Sequence, residues 1–297
     1  IAIRIARSYT KKDNIAICGY HGWHDWYLSS NLNKKNNLSN HLLDGLFTSG
    51  VPKKLKNTVF PFNYNNFKKL KEIVEQKNIG VIKMEVIRNI MPKNNFLEKV
   101  RELAIKKNIV LIFDECTTGF RETYGGYYKK LGVIPDIVIY GKAISNGYPL
   151  TAVVGKRNIM EKANDSFISS TFWTDRVGYV ASLETLKEMK RLRSWNKISQ
   201  TGKKIKQGWL KLAKKYKLDI KISGIDALPN FIFQYSNWNK YKTYITQEML
   251  KKNILATNTI YVSIAHDKKY IDKYFKFLKN IFFEIKEFEN GKNIDLY

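Results

Sequence analysis

Cysteine is nearly missing from this 297-residue chain and proline is scarce, with two cysteines, Cys18 and Cys116, and six prolines. Two thiols cannot build the disulfide framework that small secreted domains depend on, and such sparse usage fits a reducing, cytoplasmic compartment. Long apolar runs are missing too. No stretch reaches the roughly 18 apolar residues of a membrane-spanning helix, and the N-terminus lacks the basic, apolar and small-residue segments of a secretory signal. There is no CxxC pair, no HExxH segment and no cluster of carboxylates, so His21 and His24 alone do not make a metal site. No internal repeat or low-complexity linker interrupts the chain. A soluble protein without metal or membrane contact is expected.

Acidic residues are also few: 26 Asp and Glu stand against 52 Lys and Arg, a formal net charge of +26. Such an excess marks nucleic-acid binding when it gathers into a basic stripe. Here the lysines are spread among asparagine and isoleucine along the whole chain, as in Lys34-Lys35-Asn36-Asn37, Lys93-Asn94-Asn95 and Lys106-Lys107-Asn108-Ile109. The aromatics fall mostly at core spacing. This distribution reads as a compositional bias with a solvated basic surface, and no nucleic-acid partner is expected. What is present in quantity is apolar material, 44% hydrophobic and 13% aromatic, which excludes a disordered chain. The length suffices for one large core or two domains.

From about residue 64 to 155 apolar runs alternate with helical patterns, the signature of βα units and a mostly parallel sheet. Phe67, Leu70, Ile73 and Val74 make one helix face, and 80–85 then reads as a strand. Phe96, Leu97, Val100, Leu103 and Ala104 repeat the helical period before the apolar run Ile109 to Phe113. Strands are expected again at 137–140 and 152–154. Beyond Gly155 longer helices follow, near 176–194 and 196–216, with no proline between Pro149 and Pro229 to interrupt them. Short strands near 220–223, 231–234 and 261–265 and helices near 241–252 and 267–287 complete the pattern. The expected architecture is α/β: a large domain over 1–200 with a mostly parallel sheet, and a smaller α+β domain over 201–297. Ile1, Ile3, Ile5 and Ala6 against Arg4 and Arg7 read as the end of a helix whose beginning is missing, so the large domain is expected to lack its N-terminal part.

Ligands of open α/β sheets bind outside the carboxyl ends of the strands. Asp114 and Glu115 follow the run Val110-Leu111-Ile112-Phe113, and Lys142 follows Ile137-Val138-Ile139-Tyr140-Gly141. An amine and a carboxylate brought to one crevice can form a buried salt bridge. The alternative is a pyridoxal phosphate site, with the lysine as Schiff base and the carboxylate on the pyridine nitrogen. Cys116 reads as a buried, inert thiol.

The ordered set Asp114-Glu115-Cys116-Thr117-Thr118-Gly119-Phe120-Arg121, Tyr124-Gly125-Gly126, Gly132-Val133-Ile134-Pro135-Asp136 and Gly141-Lys142-Ala143-Ile144-Ser145-Asn146-Gly147-Tyr148-Pro149 resembles the core of class III pyridoxal-phosphate aminotransferases. It is most similar to their glutamate-1-semialdehyde aminomutase-like branch. The likeness extends over about residues 1–190 and more weakly to the C-terminus. It implies the PLP-dependent transferase fold (fold type I), pyridoxal 5'-phosphate as cofactor, and a homodimer with shared active sites. Lys142 would be the Schiff-base lysine and Asp114 the partner of the pyridine nitrogen. Tyr20, in Gly19-Tyr20-His21-Gly22, would stack on the cofactor ring, and Thr171, in Ser169-Ser170-Thr171-Phe172, would reach the phosphate of the neighbouring subunit. A tyrosine beside glycine can also be a packed turn residue, and a threonine after two serines a helix cap.

The implied reaction moves an amino group between a small-molecule amino donor and an oxo substrate. In the aminomutase variant the group moves within one molecule. Three departures bear on this. The phosphate-cradling segment that the family carries upstream of a helix like Ile1–Arg7 is not in the chain. The stretch Met84-Glu85-Val86-Ile87-Arg88-Asn89 leads to Phe96 after a shortened gap, and Phe172-Trp173-Thr174-Asp175-Arg176 lacks the usual Asn-Pro. The last two fall on the substrate side and favour an aminotransferase over the mutase. A catalytically inactive chain that keeps the fold, or a basic nucleic-acid-binding protein, are the remaining alternatives.

Overall fold

In the computed structural model all residues except 40, 42–44, 88, 295 and 297 are described. The chain forms two compact units, Ile1–Lys187 and Glu188–Tyr297.

Short apolar runs, most of them closed by a glycine or a polar residue, become the strands of the first unit. They are Asn14–Cys18 (β1), Val59–Pro61 (β2), Ile79–Glu85 (β3), Val110–Asp114 (β4), Ile137–Tyr140 (β5) and Ala152–Gly155 (β6). All six join one sheet in the order β2-β1-β3-β4-β5-β6. The first five run parallel, and β6 pairs antiparallel with β5 at the edge. Every residue of β3 is buried, as a strand covered on both faces must be. In register Lys83 lies opposite Ile17 of β1 and Ile112 of β4, and Glu85 lies opposite Asp114. Because side chains alternate along a strand, Val81, Lys83 and Glu85 share one face with Val110, Ile112 and Asp114.

The helix Ala2–Thr10 (α1) places Ile3, Ile5 and Ala6 in a cluster with Ile15, Ile17, Val81, Val110 and Ile112. Each such isoleucine or valine, fully buried, contributes roughly 1.5–3 kcal/mol. Short helices at Asp25–Leu28 (α2), Tyr128–Leu131 (α5) and Arg157–Met160 (α6) and longer ones at Phe67–Gln76 (α3) and Phe96–Lys106 (α4) complete the crossovers. Asn66 caps α3 by accepting the Lys69 N–H at 3.0 Å, a bond of the kind worth about 1 kcal/mol. Helix α7 (Arg176–Leu192) carries the chain from the first unit into the second.

The second unit holds Ser194–Tyr216 (α8), the antiparallel strands Ile220–Ser223 (β7) and Asn230–Phe233 (β8), and the helices Trp238–Leu250 (α9) and Lys268–Glu289 (α10). Its core is aromatic: Trp209 of α8 lies 4.7 Å from Phe231, and Phe233 5.3 Å from Phe282 of α10, between ring centroids. Gly202 lets α8 approach the chain at Asp226, whose carbonyl oxygen would lie 1.7 Å from a Cβ there. The strand expected over 261–265 does not form. Ile260 and Val262 donate their N–H groups to the Pro229 and Ala227 carbonyls, and the Asn258 side chain bonds the Phe231 carbonyl at 2.9 Å. Side-chain bonding there leaves one isolated bridge, Asn230 with Thr259, in place of a ladder. Two strands that the sequence reading did not anticipate, β1 and β2, widen the sheet. No helix among the described residues is long and apolar enough to cross a membrane.

Candidate active site

The carboxyl ends of β1, β3, β4 and β5 gather the polar groups. At the end of β1 the chain turns at Gly19, with φ +101, and a Cβ there would lie 2.6 Å from Glu85 Oε2. Only glycine fits both the backbone and the gap. The next residue, Tyr20, donates its N–H to the same Glu85 oxygen at 3.2 Å, and its ring meets Tyr27 edge-on at 6.1 Å. His21 follows, buried, with its ring stacked on Trp26.

At the end of β4 the Asp114 carboxylate is shared by several donors. Its Oδ2 accepts from Lys83 Nζ at 2.6 Å and lies 3.2 Å from His21 Nδ1, while Oδ1 accepts the Cys116 N–H at 3.2 Å. Lys83 Nζ also sits 2.8 Å from His21 Nδ1 and 5.4 Å from the centre of the Trp26 ring. The pair is nearly dry, with Lys83 and Asp114 side chains 6% and 13% exposed. Burial alone would raise the Asp114 carboxyl, but the Lys83 ammonium and His21 outweigh it and hold the group well below the usual carboxylate range. Burial, reinforced by the Lys83 charge, drives His21 down to about 4, so its ring is neutral at pH 7.

Lys142 lies past the end of β5, behind Gly141, and opens the 3-10 turn Lys142–Ile144. It is exposed, and its backbone sits in the left-handed region at φ 51, a conformation that costs a non-glycine residue about 1–2 kcal/mol. Such strain persists where surrounding structure enforces it and is common at functional sites. Its Nζ donates to Thr117 Oγ1 at 3.2 Å. Thr117 belongs to the turn after Asp114, which is pinned by buried Glu115: that carboxylate accepts the Tyr128 N–H at 2.8 Å and the Thr118 hydroxyl. Burial first, and Asp114 second, push the Cys116 thiol up to about 12, which leaves it unreactive near neutrality. A cavity of about 260 Å³ opens beside Gly19 and Glu85, lined also by Cys18, His41 and Tyr64.

Tyr20, His21 and Asp114 are thus brought to one end of the sheet, and Lys142 joins them through Thr117. The buried salt bridge foreseen for Asp114 exists, but its amine is Lys83. Lys83 escaped the sequence reading, although a lysine between Ile82 and Met84 in a strand buried on both faces was the available signal. Thr171 is exposed at the start of the 3-10 turn Thr171–Thr174, and the cap of that turn is Ser170, whose hydroxyl accepts the Phe172 N–H at 3.4 Å.

A parallel sheet that collects an amine, a carboxylate and aromatic rings at its carboxyl edge is the architecture of PLP-dependent transferases of fold type I. The solved structure of the PLP internal aldimine form of the Sphingopyxis FumI protein shares this fold with a TM-score of 0.84 at 19% identity, over 98% of this chain and 69% of that one. The sequence model of the family "Aminotransferase class-III" matches residues 1–259, and the chain belongs to that family. It is 34% identical over 266 residues to 3-aminobutyryl-CoA aminotransferase of Cloacimonas acidaminovorans, across 86% of this chain and 60% of that protein. It is 32% identical over 309 residues to glutamate-1-semialdehyde 2,1-aminomutase of Methanocaldococcus jannaschii, across 95% of this chain and 70% of that one. The chain therefore spans between three-fifths and seven-tenths of the length of these relatives.

Proposed function

We propose that this chain carries the active site of a pyridoxal 5'-phosphate-dependent aminotransferase, cytoplasmic and homodimeric, that moves an amino group between an amino donor and an oxo substrate. The observation that carries the reading is the exposed, backbone-strained Lys142 placed past β5 beside the turn of Asp114, in a class-III aminotransferase chain.

The donor set suits the cofactor. An accessible amine, a buried carboxylate held as an anion and a tyrosine ring lie at the ends of nearby strands. His21 Nε2 is buried with no hydrogen-bond partner among the described residues. When bound, pyridoxal phosphate supplies an electron sink for the charge left when a proton leaves the carbon next to the substrate nitrogen. Lys142 Nζ would hold the cofactor and, when free, would take that proton and return it. Asp114, held as an anion, would accept a hydrogen bond from the cofactor's ring nitrogen and favour its protonated form. Tyr20 offers a flat face to the ring. His21 orients Asp114. The exposed Thr171 would serve the phosphate of the neighbouring subunit.

Lys142→Ala in the full protein is expected to lose the cofactor's visible absorbance band and at least about a thousandfold in transamination, with an unchanged far-UV circular dichroism spectrum. Mixing Lys142→Ala with Thr171→Val subunits restores activity if sites are shared. An unchanged absorbance band in Lys142→Ala overturns the assignment.

The second reading, an aminomutase, draws on the 32% identity to the Methanocaldococcus protein. Two substrate-side features favour the aminotransferase: the short connection 86–95 between β3 and α4, in which Arg88 lies outside the described residues, and Phe172-Trp173-Thr174-Asp175-Arg176. Supplying glutamate-1-semialdehyde and measuring 5-aminolevulinate, beside a panel of amino donors with oxo acids and oxo sugars, separates the two. Efficient isomerisation with no net transfer to any acceptor selects the mutase.

A further inference from the structure

Lys83 is not accounted for by the roles above. A lysine in the middle of a strand buried along its whole length is costly unless it is paired, and its place on the sheet, between Ile17 and Ile112, would accept an apolar side chain. Buried ion pairs exchanged for well-packed apolar residues often cost nothing in stability. The lysine therefore calls for an explanation in the chemistry of what it touches.

Its ammonium touches three groups: Asp114 Oδ2 at 2.6 Å, His21 Nδ1 at 2.8 Å and the Trp26 ring, whose centre is 5.4 Å away. Since His21 is neutral, the cluster of Lys83, Asp114 and His21 carries no net charge. Both carboxylate oxygens already have a donor, because Oδ1 holds the Cys116 N–H. His24, Glu115 and Cys116 also feel the Asp114 charge, and Glu85 lies opposite it in register. Among these groups, Lys83 is the cation in direct contact with the carboxylate.

We propose that Lys83 is a positioning residue that acts through Asp114: it takes up part of the carboxylate's charge, so that a pyridine nitrogen facing Asp114 binds its proton less tightly than it would against an unshared carboxylate. The inference rests on the reading of this site as a pyridoxal phosphate site. In charge terms, a protonated ring beside Asp114 alone makes a neutral pair. With Lys83 present the same ring makes the cluster net positive, and the proton is correspondingly easier to lose. At an effective dielectric of about 20 a unit charge about 5 Å away shifts such an equilibrium by roughly two pH units. Lys83 thereby tempers the electron sink and sets how readily the substrate carbon gives up its proton.

The test uses the full protein loaded with pyridoxal 5'-phosphate labelled with nitrogen-15 in the ring, followed by NMR across pH. Lys83→Met is expected to move the midpoint of ring-nitrogen deprotonation upward by roughly one unit or more, and Lys83→Arg to leave it near the wild-type value. Lys83→Gln takes the place of the methionine variant if that one does not fold. In the cofactor-free protein, the carbon-13 signal of the Asp114 carboxyl should titrate at higher pH in Lys83→Met than in the wild type. Equal ring-nitrogen midpoints in the wild type and in the uncharged variants would overturn the proposal, as would an arginine variant shifted as far as the methionine one. Failure of the wild type to take up cofactor would overturn the functional reading and this inference with it, whereas uptake with an unmoved ring nitrogen overturns the inference alone.

Discussion

The two units bury polar groups in opposite ways. In Ile1–Lys187 the buried set includes His21, Lys83, Glu85, Glu115, Glu122 and Asp136, whereas among the described residues of Glu188–Tyr297 the buried polar residues are Ser194 and Asn258. Where the second unit needs polar atoms in its core it uses the tips of aromatic rings: Trp209 Nε1 donates to Tyr274 Oη at 2.9 Å, and Tyr244 Oη to Glu284 Oε2 at 2.9 Å. Packing of large rings stabilises that unit with little dependence on charge. The first unit keeps its ionised groups in place by pairing them, and two aspartates show the division of labour. Asp136, just before β5, is tied to Arg101 and Lys156 at 2.8 Å each and to the Leu111 N–H, and serves the fold. Asp114, at the opposite end of its strand, is held by Lys83, His21 and the Cys116 N–H at the edge where the turn bearing Thr117 meets Lys142. A buried charge is a candidate for chemistry when it sits at the carboxyl edge of the sheet, and a brace when it sits at the amino edge.

Substitutions can break this contrast. The largest expected effect on stability lies in the second unit: Trp209→Ala should cost about 3–5 kcal/mol in urea unfolding, through lost burial and an unpaired Tyr274 hydroxyl. It should leave the pH dependence of the first unit untouched, and a changed acid profile would show that the two cores are not independent. Asp114→Asn comes next, at about 3 kcal/mol near neutral pH, because it leaves the Lys83 ammonium buried without its counter-ion.

The most gradual effect is the acid dependence of the wild type. His21 is depressed to about 4, so between that value and its unfolded value of about 6.5 the unfolded chain binds the extra proton. Stability is then complete above about pH 6.5 and declines as pH falls towards 4. Asp114, held below the ordinary carboxylate value, adds its own loss below about pH 4. Urea midpoints measured from pH 7 to 3.5 should fall through the upper window in the wild type, and the fall should be confined to the acid end in His21→Gln. An unchanged slope in that variant would assign the effect elsewhere.

Much of the fold is legible because buried parallel strands leave continuous apolar runs: β3, β4 and β5 stand out, and each ends where Glu85, Asp114 or Lys142 enters the site. The long helices α7 and α8 show through the absence of proline. β2 is three residues long and ends in proline, and β1 lies outside the stretch 64–155 where strand and helix patterns alternate; each is fixed by its neighbours in the sheet. At 261–265 the reading erred in the other direction, since a strand-like pattern there competes with side-chain bonds from Asn258. The site was half visible. Asp114 and Lys142 follow strands and carry recognisable neighbours, but the partnership of Asp114 with Lys83 joins residues 31 apart and that of Lys83 with His21 residues 62 apart. Pairings of that kind depend on strand order, which local pattern does not encode.

Strand order has a further consequence, for how the protein is made. In β2-β1-β3-β4-β5-β6 strand β1 lies inside the sheet, flanked by β2 and β3, which are both translated after it. At about 5–20 residues per second, the apolar segment Ile15-Ala16-Ile17-Cys18 waits several seconds for β3 to emerge from the ribosome. Until β2 emerges both of its edges are open to other chains, and the edge that β3 will cover stays open longer. The price of bringing His21 to Asp114 is an apolar strand that is made well before the neighbours that cover it.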